Sequence, residues 1–357
     1  MSLPNLALPP SLLQKNMIRC LFAGLTPIVT SSPGIGKSDI VHSICSEFRL
    51  KEIDLRVPQC DVTDFNGLPF RNAQGKAEFL PFDIFPLEGE DLPPMLDKDG
   101  NQIIINGEPQ FYDGWLIFLD ELTSAPKHLQ APAYKLILDR MIGTHKLHPR
   151  VVIAAAGNLA TDKAIVHEMS TALQSRMIHF ELKLDHKEWA NWAVQNGIDT
   201  RILSFLYFKP ELLHRFNPDH DENTFACPRT WTFASKLIKG QDVDMQDLSL
   251  IAGAVSPGVA HEFISFVKVF DELPKIADII ANPDTITVPH EPSIKFALST
   301  VLADKMDEKN AEALCKFITR LPVECRVLAM RMLRARDHHM MRNPHVQKVF
   351  QPILARM

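Results

Sequence analysis

Residues 26–38 read TPIVTSSPGIGKS, and this stretch decides the fold. Its first five residues are a short, β-branched, apolar run of the kind that forms a buried strand. The segment SSPGIGKS follows, and then Ile40, Val41, Ile44, Cys45 and Phe48 recur at helical spacing. Strand, glycine loop and amphipathic helix therefore succeed one another. The loop is one substitution from the pattern GxxxxGK[ST], with Ser31 where a first glycine is usual. Glycines at 34 and 36 let the backbone turn so that its N–H groups converge on phosphate oxygens, and a helix N-terminus adds a favourable partial charge. Ser32, Pro33, Gly34, Ile35, Gly36, Lys37 and Ser38 are accordingly candidate nucleotide-binding residues. Lys37 is placed to reach β and γ phosphates, and Ser38 to offer its hydroxyl to Mg²⁺. A serine at 31 is tolerated if its φ is negative, where a β-carbon meets little resistance.

Working outward, EIDLRV at 52–57 reads as a second strand and WLIFL at 115–119 as a third, continuous in its apolar character as a strand buried on both faces would be. The third ends in Asp120 and Glu121. Ligands bind beyond the carboxyl ends of strands in an open parallel sheet, so these two carboxylates are the candidate Mg²⁺ holder and water-activating base, respectively. VVIAAAG at 151–157 and MIHFELKL at 177–184 supply a fourth and fifth strand. A helix is predicted over 126–140, with Ser124 as candidate N-cap and Pro132 forcing a kink or restart. Between the second and third strands, 58–114 is proline-rich, and DKDG at 97–100 with ING at 105–107 around NQIII predicts a β-hairpin.

After residue 185 only helical patterns follow, so the reading is a 1–185 α/β nucleotide-binding domain, a 186–285 helical lid and a 286–357 helical C-terminal region. The length of 357 residues fits two or three compact units, and 46% hydrophobic with 23% charged residues excludes a disordered polymer or a disulfide miniprotein. A net charge of −5 argues against a chain whose whole surface grips nucleic acid. The six cysteines form no CxxC or CxH pair, so neither a zinc site nor a redox dithiol is expected, and a reducing cytoplasm is the simplest location. No run of about 18 apolar residues occurs, so membrane insertion is not expected.

The order of motifs resembles that of the AAA+ ATPases and, more narrowly, the MoxR group, through SSPGIGKS, LIFLDELTSAPKHLQAPAYKLILDRMIG, VVIAAAGN, TALQSRMIHFEL and ACPRTWTFASKLI. The resemblance covers about two thirds of the chain. It implies a P-loop NTPase fold with a parallel five-stranded sheet, an all-α lid and a helical C-terminal region. It implies Mg²⁺-dependent ATP hydrolysis in a homo-oligomeric ring, expected to be a hexamer, that remodels a partner protein in a chaperone-like way. Such a partner often bears a von Willebrand factor A domain, which this chain lacks. By the same resemblance Asn158 takes the sensor-1 position, Arg176 the arginine-finger position, and Arg229 the sensor-2 position, with Arg140 a competing candidate for the contact in trans. The resemblance also implies an insertion in the second helix and a hairpin before sensor 1, whose partition within 58–114 and 141–150 stays open.

Two other classes remain open. A nucleic-acid motor or helicase loader of the same superfamily needs positively charged pore loops, and 67–79 and 143–150 are mildly basic. A non-hydrolysing nucleotide-dependent scaffold is the other. A GTPase is disfavoured because no NKxD motif occurs. Asp97, Asp99, Asn101 and Glu108 imitate calcium-loop spacing without its glycine or flanking helices, and His338, His339 and His345 lack further ligands at metal spacing. The basic segment 331–357 reads as a solvated helical face.

Overall fold

The computed structural model describes residues 6–162, 167, 169–219 and 221–356. The chain divides into two compact units, Met1–Leu184 and Asp185–Met357. The first contains α1 (Pro10–Phe22), β1 (Thr26–Ser31), α2 (Lys37–Glu47), β2 (Leu50–Arg56), α3 (Val62–Asn66), β3 (Leu68–Arg71), β4 (Ala77–Leu80), β5 (Ile104–Ile105), β6 (Glu108–Pro109) and β7 (Gly114–Asp120). It continues with α4 (Lys127–Asp139), β8 (Met141–Ile142), β9 (His145–Lys146), β10 (Val151–Asn158), α5 (Thr171–Gln174) and β11 (Met177–Glu181).

Five of these strands form one sheet in the order β11-β1-β10-β7-β2, every neighbouring pair parallel. This is the α/β P-loop fold anticipated from the sequence. The physical reason for the order is legible in burial. β7 and β10 lie inside the sheet and are apolar on both faces, whereas the edge strand β2 carries the charged residues Lys51, Glu52, Asp54 and Arg56. Leu116, Phe118, Ala154, Ala156 and Val29 face α1 and α2, packing with Leu13, Met17, Val41 and Ile44. Ile117, Leu119, Ile153, Ala155 and Ile28 face the other way, with Leu129, Ala133 and Leu136 of α4.

α4 runs without interruption through Pro132, so the expected restart does not occur, and its N-cap is Pro126 rather than Ser124, which lies in a preceding 3₁₀ turn. The hairpin foreseen near residue 100 is small: Ile104–Ile105 pairs with Glu108–Pro109 across Asn106-Gly107, both at positive φ (53° and 83°), as a two-residue turn requires. A longer hairpin, β3–β4, occupies 68–80, where only a loop was expected. Asn72 closes it, its side-chain oxygen accepting from the N–H groups of Gln74 and Lys76.

The regular elements of the second unit, among its described residues, are helices: α6 (His186–Gln195), α7 (Thr200–Phe208), α8 (Pro228–Ile238), α9 (Leu248–Val255), α10 (Pro257–Val267), α11 (Ile276–Ala281), α12 (Pro292–Lys305), α13 (Ala311–Thr319), α14 (Val323–Arg336) and α15 (Pro344–Phe350). Phe205, Trp231, Phe263 and Phe266 form its aromatic centre, and the Trp231 indole N–H donates to the Leu212 carbonyl at 2.9 Å. α12 packs against α7 and α14, and α14 against α6, so helices from both of the expected helical regions share one unit. No helix among the described residues is long and apolar enough to cross a membrane.

Candidate functional site

Because β1, β10 and β7 are consecutive in a parallel sheet, their carboxyl ends lie side by side on one edge. With strands about 4.8 Å apart, the loop after β1 is about 10 Å from the end of β7 and has the end of β10 between them. That edge gathers Ser32 to Ser38, Asn158, Asp120 and Glu121.

The loop adopts the backbone its glycines permit. Gly34 has φ of 75° and Gly36 has φ of 102°, both left-handed, and α2 begins at Lys37 directly after. Ser31 has no positive φ, so the missing first glycine costs no backbone strain. Its buried hydroxyl instead accepts a hydrogen bond from Lys37 Nζ at 3.0 Å, while Lys37 also donates to the Ser31 carbonyl at 3.3 Å and to Asn158 Oδ1 at 3.2 Å. Register explains the last contact, since Ser31 pairs with Asn158 across β1 and β10. An ammonium held between a loop hydroxyl and a strand-end amide is placed to exchange oxygen partners with a phosphate.

Asp120 terminates β7, and Glu121 follows it in the left-handed region (φ 56°, ψ 28°), its N–H donating to Asp120 Oδ1 at 2.9 Å. A 3₁₀ turn, Leu122–Ser124, returns the chain toward β10. There the Asn158 N–H donates to Thr123 Oγ1 at 3.0 Å, a contact that sequence reading does not reveal. On β2, next to β7, Arg56 stands opposite Asp120 in register. Burial, and then the Asp120 carboxylate, push the Asp54 carboxyl above its usual range, with Glu52 adding and Arg56 opposing. Negative charge is thus concentrated at the edge that would receive a cation. Among the described residues no three His, Cys, Asp or Glu side chains form a metal-holding group. A carboxylate at Asp120 and a hydroxyl at Ser38 fit Mg²⁺, which keeps several waters and takes its remaining oxygens from phosphate.

Arg176 lies at the opposite edge. It precedes β11, whose first residue Met177 pairs with Thr26, the first residue of β1. The length of β1, about 20 Å at 3.3 Å per residue, therefore separates it from the loop after β1. Its exposed guanidinium donates to the Ala172 carbonyl at 2.8 Å and sits 5.1 Å from the centroid of Tyr134. Arg140 is also at that edge but is engaged: it donates to the Val151 carbonyl at 2.6 Å and the Gly24 carbonyl at 3.3 Å. Both bonds tie it to the backbone at that edge. Arg229 stands exposed in the first turn of α8, in the second unit.

The insertion and the segment before β10 meet. His145 Nε2 lies 3.0 Å from the Phe79 carbonyl, and a side chain at Gly143 would meet the Asn66 carbonyl. The β3–β4 hairpin exposes Leu68, Phe70, Phe79 and Leu80. The Asp97 carboxylate, held below its usual range first by the Asn101 N–H, caps the 97–101 turn. A cleft of about 580 Å³ in the second unit is lined by charges that pair internally: Arg201 bonds Asp199 and the carbonyls of Ile238 and Gln241, and Lys239 bonds the Gly197 carbonyl.

No protein-family model matches the chain. No curated protein matches it. Among solved structures it is similar to a candidate ATPase from Cytophaga hutchinsonii, at 11% identity and TM-score 0.37, covering 99% of this chain and 91% of that one. It is similar to a mutant of RuvB from Thermotoga maritima, at 15% identity and TM-score 0.37, covering 78% of this chain and 79% of that one. It is also similar to NtrX from Brucella abortus in complex with ADP, at 12% identity and TM-score 0.37, covering 97% of this chain and 67% of that one. What this chain does is therefore inferred from its own residues and topology.

Proposed function

We propose that this protein is a Mg²⁺-dependent ATPase of AAA+ type, resembling the MoxR group, that works as a homo-oligomeric ring, a hexamer in the simplest form, and remodels a separate partner protein. The observation that carries the ATPase reading is the Lys37 ammonium bound to Ser31 and Asn158 at the sheet edge where β7 delivers Asp120 and Glu121. The loop amides and Lys37 bind the triphosphate, and Asn158 orients the γ-phosphate or attacking water through its amide. Glu121 accepts the proton of that water. Ser38 and Asp120 would hold Mg²⁺, whose charge would offset that of the β and γ phosphates.

The ring reading rests on Arg176. An arginine one strand length from its own P-loop serves phosphoryl transfer only from a neighbouring subunit, where it supplies a fixed, permanently charged donor fork. The resemblance gives Arg229 the sensor-2 role. The exposed apolar hairpins of the insertion engage the partner, for which a von Willebrand factor A domain is the first class to test.

Phosphate release from the purified chain with ATP and Mg²⁺, compared with Lys37→Ala, tests the chemistry. Lys37-dependent turnover is the expected result. Tight ATP binding without turnover contradicts it in favour of a scaffold, and turnover that rises only with DNA contradicts the protein-remodelling role in favour of a nucleic-acid motor.

A further inference from the structure

β10 and β7 pair in register from Val151 with Trp115 as far as Ala155 with Leu119, and beyond that point Thr123 continues the connection. The Thr123 hydroxyl accepts from the Asn158 N–H at 3.0 Å and reaches the Asn158 carbonyl at 3.4 Å. Both backbone polar groups of Asn158 thus converge on one side chain, which is only 4% exposed. The fit is close. A β-carbon built on Gly157 would stand 2.4 Å from both Thr123 Cγ2 and Oγ1, so the glycine of AAAGN is the residue that lets Thr123 approach.

The two ends of this link lead to the reacting groups. Asn158 presents its side-chain oxygen to Lys37 at 3.2 Å. Thr123 is two residues from Glu121 in a tight turn, in which the Ser124 N–H donates to the Glu121 carbonyl at 2.8 Å. The turn and the strand end cannot shift independently while this hydroxyl joins them.

We propose that Thr123 is a positioning residue that holds the sensor amide of Asn158 and the carboxylate of Glu121 in one fixed relation. The inference rests on the ATPase reading above, since it assigns Thr123 a role in the same reaction. A buried hydroxyl linking two backbone groups costs little to form and leaves an unpaired N–H when removed. Its loss therefore loosens geometry needed in the transition state more than it alters the loop that binds ground-state phosphates.

The test compares Thr123→Val, which keeps the shape, Thr123→Ala, which removes any misfit of the added methyl group, and Thr123→Ser, which keeps the hydroxyl. ATP turnover and fluorescent-nucleotide affinity are measured on each, with Asn158→Ala and the double variant Thr123→Val/Asn158→Ala alongside. Val and Ala are each expected to lower kcat by about tenfold or more, with nucleotide affinity within about twofold of wild type. Ser is expected to restore kcat to within about threefold of wild type. The double variant should turn over no more slowly than Asn158→Ala alone, because the side-chain amide that the backbone link positions is then absent. Unchanged kcat in Val and Ala overturns the proposal while leaving the ATPase reading standing, as does full additivity in the double variant. Absence of turnover in wild-type protein overturns the ATPase reading and the role of Thr123 with it.

Discussion

Lys37 Nζ lies 3.2 Å from Asn158 Oδ1, so the loop after β1 and the end of β10 share one ammonium. Their side chains do different work despite this contact. In the proposed reaction Lys37 meets phosphate in the ground state, and Asn158 acts on charge that develops in the transition state. Lys37→Ala is expected to weaken ATP binding by about tenfold to a hundredfold or more, the range for losing charge-assisted hydrogen bonds. Asn158→Ala should bind ATP nearly as wild type does and lose about a hundredfold in turnover. Fluorescent-nucleotide titration beside phosphate release separates the two.

Glu121 combines a left-handed backbone (φ 56°) with the expected role of general base. Glu121→Gln should keep binding and lower turnover by at least about a hundredfold. Glu121→Gly should abolish turnover yet melt no lower than wild type. Glycine relieves a left-handed cost of about 1 kcal/mol, which offsets its own loss of conformational freedom. A lower melting temperature for the glycine variant would show that the carboxylate also stabilises the fold.

The edges and interior of the sheet differ in how much of them the sequence discloses. β1, β7 and β10 are readable as uninterrupted apolar runs because both of their faces are covered, and the glycine-lysine loop is readable because phosphate binding demands its spacing. β3–β4 is not, because Leu68, Phe70, Phe79 and Leu80 remain exposed and leave no buried alternation to detect. α9 and α10 meet at Ser256, at φ 84°, where Ser256 is the N-cap without a side-chain bond and Pro257 opens α10. Nor does an arginine in a sequence tell whether its guanidinium is free. Arg140 is tied to two carbonyls at the far edge, and only the topology that brings Gly24 and Val151 together reveals it. The contact between Lys37 and Asn158 likewise needs the strand order, since 121 residues separate them.

The base of the insertion's second hairpin is closed by its own backbone, the Met95 N–H donating to the Gln110 carbonyl at 2.9 Å and the Tyr112 N–H to the Pro93 carbonyl at 2.9 Å. Removal of residues 96–110 therefore leaves ends that are already adjacent. The shortened protein should fold and hydrolyse ATP at the basal rate, while ceasing to respond to its partner. Loss of the folded state, seen by circular dichroism, would show that this segment is structural instead.

In the helical unit, burial lowers the proton affinity of His186, outweighing the bond from its Nε2–H to the Leu206 carbonyl at 2.7 Å, and the Arg331 charge adds to the lowering. With the folded-state pKa depressed, the unfolded chain takes up the proton first as pH falls. His186 thus favours folding fully above about pH 6.5, and that contribution is lost as pH drops from there through the folded-state value. Thermal melts of wild type and His186→Gln from pH 7.5 to pH 5 should converge toward the acid end. Parallel curves would exclude His186 as a source of acid sensitivity.

The most direct measurement of a ring with shared sites mixes Arg176→Ala protein with Lys37→Ala protein and follows phosphate release. Each variant alone should hydrolyse ATP very poorly, since loss of an arginine finger lowers the rate roughly 10³-fold or more. In mixed rings some interfaces pair an intact loop with an intact Arg176, and activity well above the sum of the two parents is expected. If native mass spectrometry finds mixed rings and activity does not rise, Arg176 is not supplied by a neighbouring subunit and the shared-site ring is contradicted.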